Sequence, residues 1–182
     1  MQHRKSIVSL GRAMAQAILI TGTPATGKTT LAHALSYACH LPVLDVQAFA
    51  KAHHLFCSYD RQRNAHILDE KKFAKTLETY LQRIKSYPLI LVETHIAHFL
   101  TPKSTYACIV TNCSLPLLKK RLKQRGYSGA KVRENLDAEI FQVCAIEALE
   151  LGHRPLYCNT DTKKAMYGFI RHFKAILPKI DI

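Results

Sequence analysis

The stretch "ITGTPATGKTT", residues 20 to 30, constrains this chain more than any other feature. It stands directly behind the apolar run Ala17 to Ile20 and fills the template Gly-x-x-x-x-Gly-Lys-[Ser/Thr] with Gly22, Gly27, Lys28 and Thr29. Glycine tolerates torsions and close approaches that a Cβ forbids. A loop of this spacing between a strand and a helix therefore turns successive backbone N–H groups toward one phosphate. The helix N-terminus adds a favourable field for anions. In such a loop Lys28 neutralises the outer phosphates and the Thr29 hydroxyl can ligate Mg²⁺.

The fold class follows from what surrounds the loop. Short continuous apolar runs recur at "AILIT", "PVLDV", "PLILVE", "YACIVT" and "PLYCN", which is how strands buried on both faces read. Helical spacings lie between them: Leu31, Leu35 and Ala38; Phe73, Leu77, Leu81 and Ile84; Leu115, Leu118 and Leu122; and Val132, Leu136, Ile140, Val143 and Ile146. Each set is expected on one buried helix face. Asp69, Ser114 and Thr162 are expected N-caps. Strands alternating with helices predict an α/β P-loop fold, a parallel sheet covered on both sides. Phe56 to Ile67 and Arg125 to Lys131 resist assignment to a regular element and are candidate moving parts at the ligand-binding edge.

A chain of 182 residues fits one domain, and no segment approaches the roughly 20 unbroken apolar residues of a membrane-spanning helix. No membrane partner is expected. The first sixteen residues are basic and acid-free; they read as an arm before a compact domain at 17–182, although they also resemble a transit peptide. The six cysteines form no C-x-x-C pair, so neither a zinc site nor a redox motif is written here. A net charge of +13 favours polyanionic partners, nucleotide or nucleic acid.

Two further stretches carry chemistry. The run "LILV" ends in Glu93, Thr94 and His95, and a carboxylate at the carboxyl end of a buried strand beside the loop is where a metal-holding acid sits. His95 could orient a water or a phosphate; His95 and His98 are spaced like a metal clip but lack a third ligand. The stretch "KKRLKQRGYSGAKVR" holds Lys119, Lys120, Arg121, Lys123, Arg125, Lys131 and Arg133 with no acid between them. Some of these face solvent or RNA. Arg125, just before Gly126, is the one best placed to stabilise a moving phosphoryl group.

The loop "GTP-x-x-GKTT", the acid-x-His triplet, "ILDE" before a helix, and "RGY" followed by "EIFQV" together resemble one family, from about Ile18 to Ala148. It is the adenylate kinase isoenzyme 6 family, also called coilin-interacting nuclear ATPase, which has archaeal members. The resemblance implies a five-stranded parallel sheet, a segment binding a nucleoside monophosphate at about 45–68, and a short lid at about 124–134. It implies that Gly22, Ala25, Gly27, Lys28, Thr29 and Thr30 bind ATP, with Ala25 where the family often has glycine. Glu93 would be the Mg²⁺-associated acid beside Thr29, His95 the catalytic histidine and Arg125 the lid arginine.

Three departures stand out: Glu93 replaces the usual Asp, Thr94 a frequent Tyr, and Lys51 a family Arg, for whose fork Arg61 and Arg63 are the candidate substitutes. The implied reaction is ATP plus AMP giving two ADP. The same resemblance equally implies an ATPase switch in small ribosomal subunit assembly, with a ribosomal protein and rRNA as partners. It implies a cytoplasmic location, and a nuclear one as well in a eukaryote.

Overall fold

The computed structural model describes residues 14–60, 65–84 and 86–177, with 59, 60, 65 and 66 described by backbone alone. The expected strands form as β1 (Gln16–Thr21), β2 (Val43–Leu44), β5 (Leu89–Glu93), β6 (Thr105–Asn112) and β7 (Leu156–Asn159). They pair in the order β2-β5-β1-β6-β7, every pair parallel. The strand carrying the glycine loop is thus central. Its side chains alternate between two cores: Ala17 and Leu19 toward one, Ile18 and Ile20 toward the other. Both faces of β1 are buried because helices cover both.

On the first face lie α2 (Val46–Ala52) and α3 (Glu70–Arg83), with Phe49, Phe73, Leu77 and Leu81 packed under the sheet. The Phe49 and Phe73 rings meet edge to face at 6.2 Å. Phe73 and Leu77 are fully buried, which stabilises by about 1.5–3 kcal/mol apiece. On the second face lie α1 (Lys28–Cys39) and α7 (Lys163–Ile176), contributing Leu31, Leu35, Met166, Ile170 and Phe173. A third cluster, Ala25, Leu118, Leu122 and Val132, joins the glycine loop to α4 (Leu115–Gln124) and α5 (Gly129–Ile140).

The caps explain where helices start. Asp69 accepts from the Lys72 amide and Thr162 from the Ala165 amide, as expected. Ser114 occupies the cap position of α4, but its side chain makes no capping bond. Its amide donates instead to Asp161 Oδ1 at 2.7 Å, which ties the β6–α4 turn to the β7–α7 turn.

Three sequence expectations need correction. Phe56 to Ile67 is no irregular loop: β3 (Phe56–Asp60) and β4 (Ala65–Leu68) pair antiparallel as a separate hairpin between α2 and α3. Its polar residues hide a strand pattern because backbone pairing, not burial, makes it. Between α4 and α5 only Arg125 to Ser128 lie outside a helix, since Ser128 caps α5 by accepting from the Lys131 amide. Finally, the apolar stripe from Val132 to Ile146 does not run along one buried face. Gln142, left-handed at φ 50°, separates α5 from α6 (Val143–Glu150), and Ile140, Val143 and Ile146 face solvent. The arm at residues 1–13, Arg61 and Arg63 lie outside the described residues.

Candidate functional site

The carboxyl ends of β1, β5, β6 and β7 surround one cleft, and the loop after β1 is its floor. Gly22, at φ 137°, passes so close to β6 that a Cβ would lie 2.5 Å from Thr111 O. Gly27, at φ 98°, would press a Cβ against Thr160 at 3.1 Å. Both glycines are therefore dictated by neighbours as well as torsion. Ala25 takes φ 70° despite its methyl, which packs into the third cluster.

Hydroxyls hold the loop's shape. Thr26 donates to Thr23 O at 2.7 Å and shares a 2.7 Å bond with Thr111, whose hydroxyl also reaches Thr21 O at 3.2 Å. Thr160, after β7, donates to Thr26 O. Arg121 on α4 in turn donates to Thr160 O at 2.9 Å and Thr160 Oγ1 at 3.1 Å. Sequence reasoning left Arg121 among the surface cations and gave Thr160 no part. The available signal was position, because Thr160 follows directly on a strand's carboxyl end.

Lys28 opens α1 and is only 8% exposed. Its ammonium folds back to donate to Gly22 O at 2.7 Å and Thr23 O at 3.0 Å. Burial pushes its pKa down to about 8, against a smaller upward pull from Glu93. A cation held half-desolvated by two carbonyls is ready to exchange them for phosphate oxygens. Thr29, next along α1, donates from Oγ1 to Glu93 Oε2 at 3.3 Å. The longer Glu side chain thus still reaches the hydroxyl. A hydroxyl and a carboxylate from two elements form a hard oxygen pair of the kind Mg²⁺ prefers. Thr30 and Arg125 line a second part of the cleft, about 400 Å³, together with Gly27, Arg121 and Thr160.

His95 sits at the mouth of the cleft, open to solvent on one side. Partial burial, then the Lys28 charge and His98, hold its pKa below the usual imidazole value. His98 does not join it as a metal clip. Its ring is 1% exposed and turned inward, with Nδ1 2.9 Å from Thr21 Oγ1 and Nε2 3.0 Å from Glu147 Oε2, out of line for a hydrogen bond. Burial, then His153, lowers its pKa to about 4. Thr21 Oγ1 donates its one proton to His95 O at 3.2 Å, which leaves its lone pairs to accept an N–H from His98 Nδ1. Among the described residues no three His, Cys, Asp or Glu side chains gather as a metal site, and no helix is long and apolar enough to cross a membrane.

A family model described as an AAA domain matches residues 18–142. "Putative adenylate kinase" of Methanosarcina barkeri is 34% identical over 88% of this chain and 85% of its own length. "Adenylate kinase isoenzyme 6 homolog FAP7" of Saccharomyces cerevisiae is 33% identical over 87% of this chain and 80% of its own. The chain belongs to the adenylate kinase isoenzyme 6 family. The P-loop kinase fold extends further. Shikimate kinase of Bacteroides thetaiotaomicron superposes with a TM-score of 0.59 over 90% of this chain and 98% of its own at 14% identity. The "putative kinase" of Chloroflexus aurantiacus gives 0.51 over 91% of this chain and 100% of its own at 21% identity.

Proposed function

We propose that this isoenzyme 6 family member is a nucleoside monophosphate kinase acting on AMP, giving two ADP from ATP and AMP. The single observation that carries this reading is the Thr29–Glu93 contact beside the buried Lys28 ammonium, because it joins phosphate-binding and metal-binding groups in one cleft. The adenylate kinase names of relatives matched over most of their length support AMP as the acceptor.

Bound Mg·ATP supplies the phosphoryl group and a cation to neutralise its terminal oxygens. The chain's own residues do the rest. Backbone N–H groups from Gly22 to Thr29, with the start of α1, hold the phosphates. Lys28 releases Gly22 O and Thr23 O and turns its ammonium to the charge that builds up on the moving group. Thr29 and Glu93 would hold the metal. Arg125, beside the same cleft on the α4–α5 turn, adds a second positive charge. His95, neutral at physiological pH, orients the acceptor phosphate or a water through its free lone pair. Arg121 and Thr160 fix the cleft wall beside Gly27 and Thr30, which would receive the nucleotide. The exposed Lys51 on α2 lies within the acceptor segment at 45–68 and is the one Lys or Arg among its described residues.

Incubation with Mg·ATP and, separately, AMP, GMP, CMP or UMP tests the reading. The expected result is the diphosphate of AMP alone, at a rate that outruns phosphate release. No diphosphate from any acceptor would overturn it.

The exposed Lys119, Lys120 and Lys123 on α4 favour a second reading, in which ATP turnover drives an assembly step on an RNA-bearing particle such as the small ribosomal subunit. Binding to such particles that vanishes in high salt would support it. Binding insensitive to salt would count against it.

A further inference from the structure

α6 ends in a turn that aims one side chain at the segment carrying His95. Gly152, left-handed at φ 86°, donates its amide to Leu149 O at 2.9 Å, and His153 donates its own to Ala148 O at 2.9 Å. That nested pair of bonds stops the helix and reverses the chain, and it favours glycine at the left-handed position. The reversal buries His153, only 5% exposed, against the 3₁₀ turn Ala97–Phe99 that follows His95.

What the ring meets there is backbone. His153 Nε2 lies 2.9 Å from His98 O and 2.8 Å from Leu100 O. Carbonyls only accept, so Nε2 carries the hydrogen and donates to both. The turn's own bonds, Phe99 N to Ile96 O and Leu100 N to Ala97 O, leave these two carbonyls over. Both belong to buried residues, where a carbonyl needs a partner, and one side chain 53 to 55 residues further along the chain supplies it.

The near end of the segment is held by β1. Thr94 N donates to Ile20 O and Thr21 Oγ1 to His95 O, both at 3.2 Å. Two long bonds at one end let a short segment pivot, and a forked donor at the other end removes that freedom. We propose that His153 is a positioning residue for His95: it fixes the far end of residues 94–100 through His98 O and Leu100 O, and so sets where the His95 imidazole stands at the cleft mouth. The proposal rests on the reading that His95 orients the acceptor phosphate or a water. His153 itself lines no part of the cleft.

The test is a double-mutant cycle on turnover, with ADP from labelled AMP and phosphate from ATP both counted. His153→Phe keeps a ring and loses the donor; it should lower kcat about ten-fold while the KM for Mg·ATP stays within about two-fold. In a His95→Ala background the same substitution should lower the rate no further, because the group it positions is gone. His153→Gln, whose amide reaches as far as Nε2, should restore most of the rate, and His153→Asn, one methylene shorter, should not. These two decide the matter if His153→Phe folds poorly. An equal loss in both backgrounds, a raised KM for Mg·ATP with kcat unchanged, or no difference between His153→Gln and His153→Asn overturns the proposal. A parent that releases phosphate but makes no labelled ADP sinks the kinase reading alone, since the cycle is then read on phosphate. Amide hydrogen exchange needs no turnover: His153→Phe should speed it about ten-fold across residues 94–100 and leave α1 and α7 at the parent's rate. Exchange unchanged across 94–100, or raised to the same degree everywhere, overturns the proposal as well.

Discussion

α3 and the α5–α6 arm carry apolar stripes that look alike in sequence and end up in opposite environments. Phe73, Leu77 and Leu81 on α3 are buried under the sheet, whereas Ile140, Val143, Ile146 and Leu149 stand in solvent. Periodicity establishes that side chains share a face. It does not establish that this chain supplies what covers the face. The difference is made elsewhere: α3 enters from a capped turn at Asp69 and lies along β1 and β5, while α6 buries only alanines fully and turns the half-buried Cys144 and Glu147 inward, Glu147 toward His98 of the 3₁₀ turn at Ala97–Phe99.

That contrast can be broken by experiment. The largest effect is expected from Leu77→Ala, which should lower unfolding free energy by about 3–5 kcal/mol in urea titrations because a fully buried side chain leaves a cavity. A loss as small as that of an α6 surface change would erase the distinction between the stripes.

Next comes Lys28, buried as deeply as many apolar residues. Its folded pKa of about 8 lies below the unfolded value of 10.5, so the unfolded chain holds more protons between those two pH values. The wild type therefore carries the full cost of the buried charge below about pH 8 and sheds it as pH rises to 10.5. Without nucleotide, Lys28→Met should be the more stable protein by about 3 kcal/mol at neutral pH, an upper figure because Gly22 O and Thr23 O lose a donor. The gap should close by pH 10.5. A gap independent of pH would mean that the ammonium is not desolvated.

A smaller change follows from His98→Ala. Removing the ring between Thr21 and Glu147 should cost about 2 kcal/mol and slow turnover, since the His95 loop keeps its bonds from Thr21 Oγ1 and to Ile20 O but loses the packed ring beside them. Normal stability with normal turnover would show that the inward His98 is idle. Smallest of all, Ile146→Ser should shift stability by no more than about 0.5 kcal/mol and leave turnover unchanged. A cost like that of Leu77→Ala would return α6 to the core.

The parts that were legible are those governed by local rules. The glycine spacing, the places of the five parallel strands and the caps at Asp69 and Thr162 depend on torsion, alternation and a single side-chain bond, all written within a few residues; the edge strands β2 and β7 are nevertheless largely exposed and not buried on both faces as their apolar runs suggested, because each has a neighbour on one side only. Lys28, Thr29, Glu93 and Arg125 could be named because each stands at a loop or strand end fixed by those rules. Arg121 and Thr160 could not, because their link spans β7 and α4 and exists only after folding. The β3–β4 hairpin escaped because its pairing is made by backbone atoms, and the exposed arm escaped because a stripe says nothing of its partner.

The most direct test of the central claim is a chromatographic balance of ATP, ADP, AMP and free phosphate with Mg·ATP, with and without AMP, for the wild type and Lys28→Ala. The account predicts two ADP for each AMP consumed, negligible phosphate, and a fall of about 10²–10³-fold or more in the variant with its fold retained. Phosphate accumulating whether or not AMP is present, or a Lys28→Ala rate equal to wild type, would contradict it.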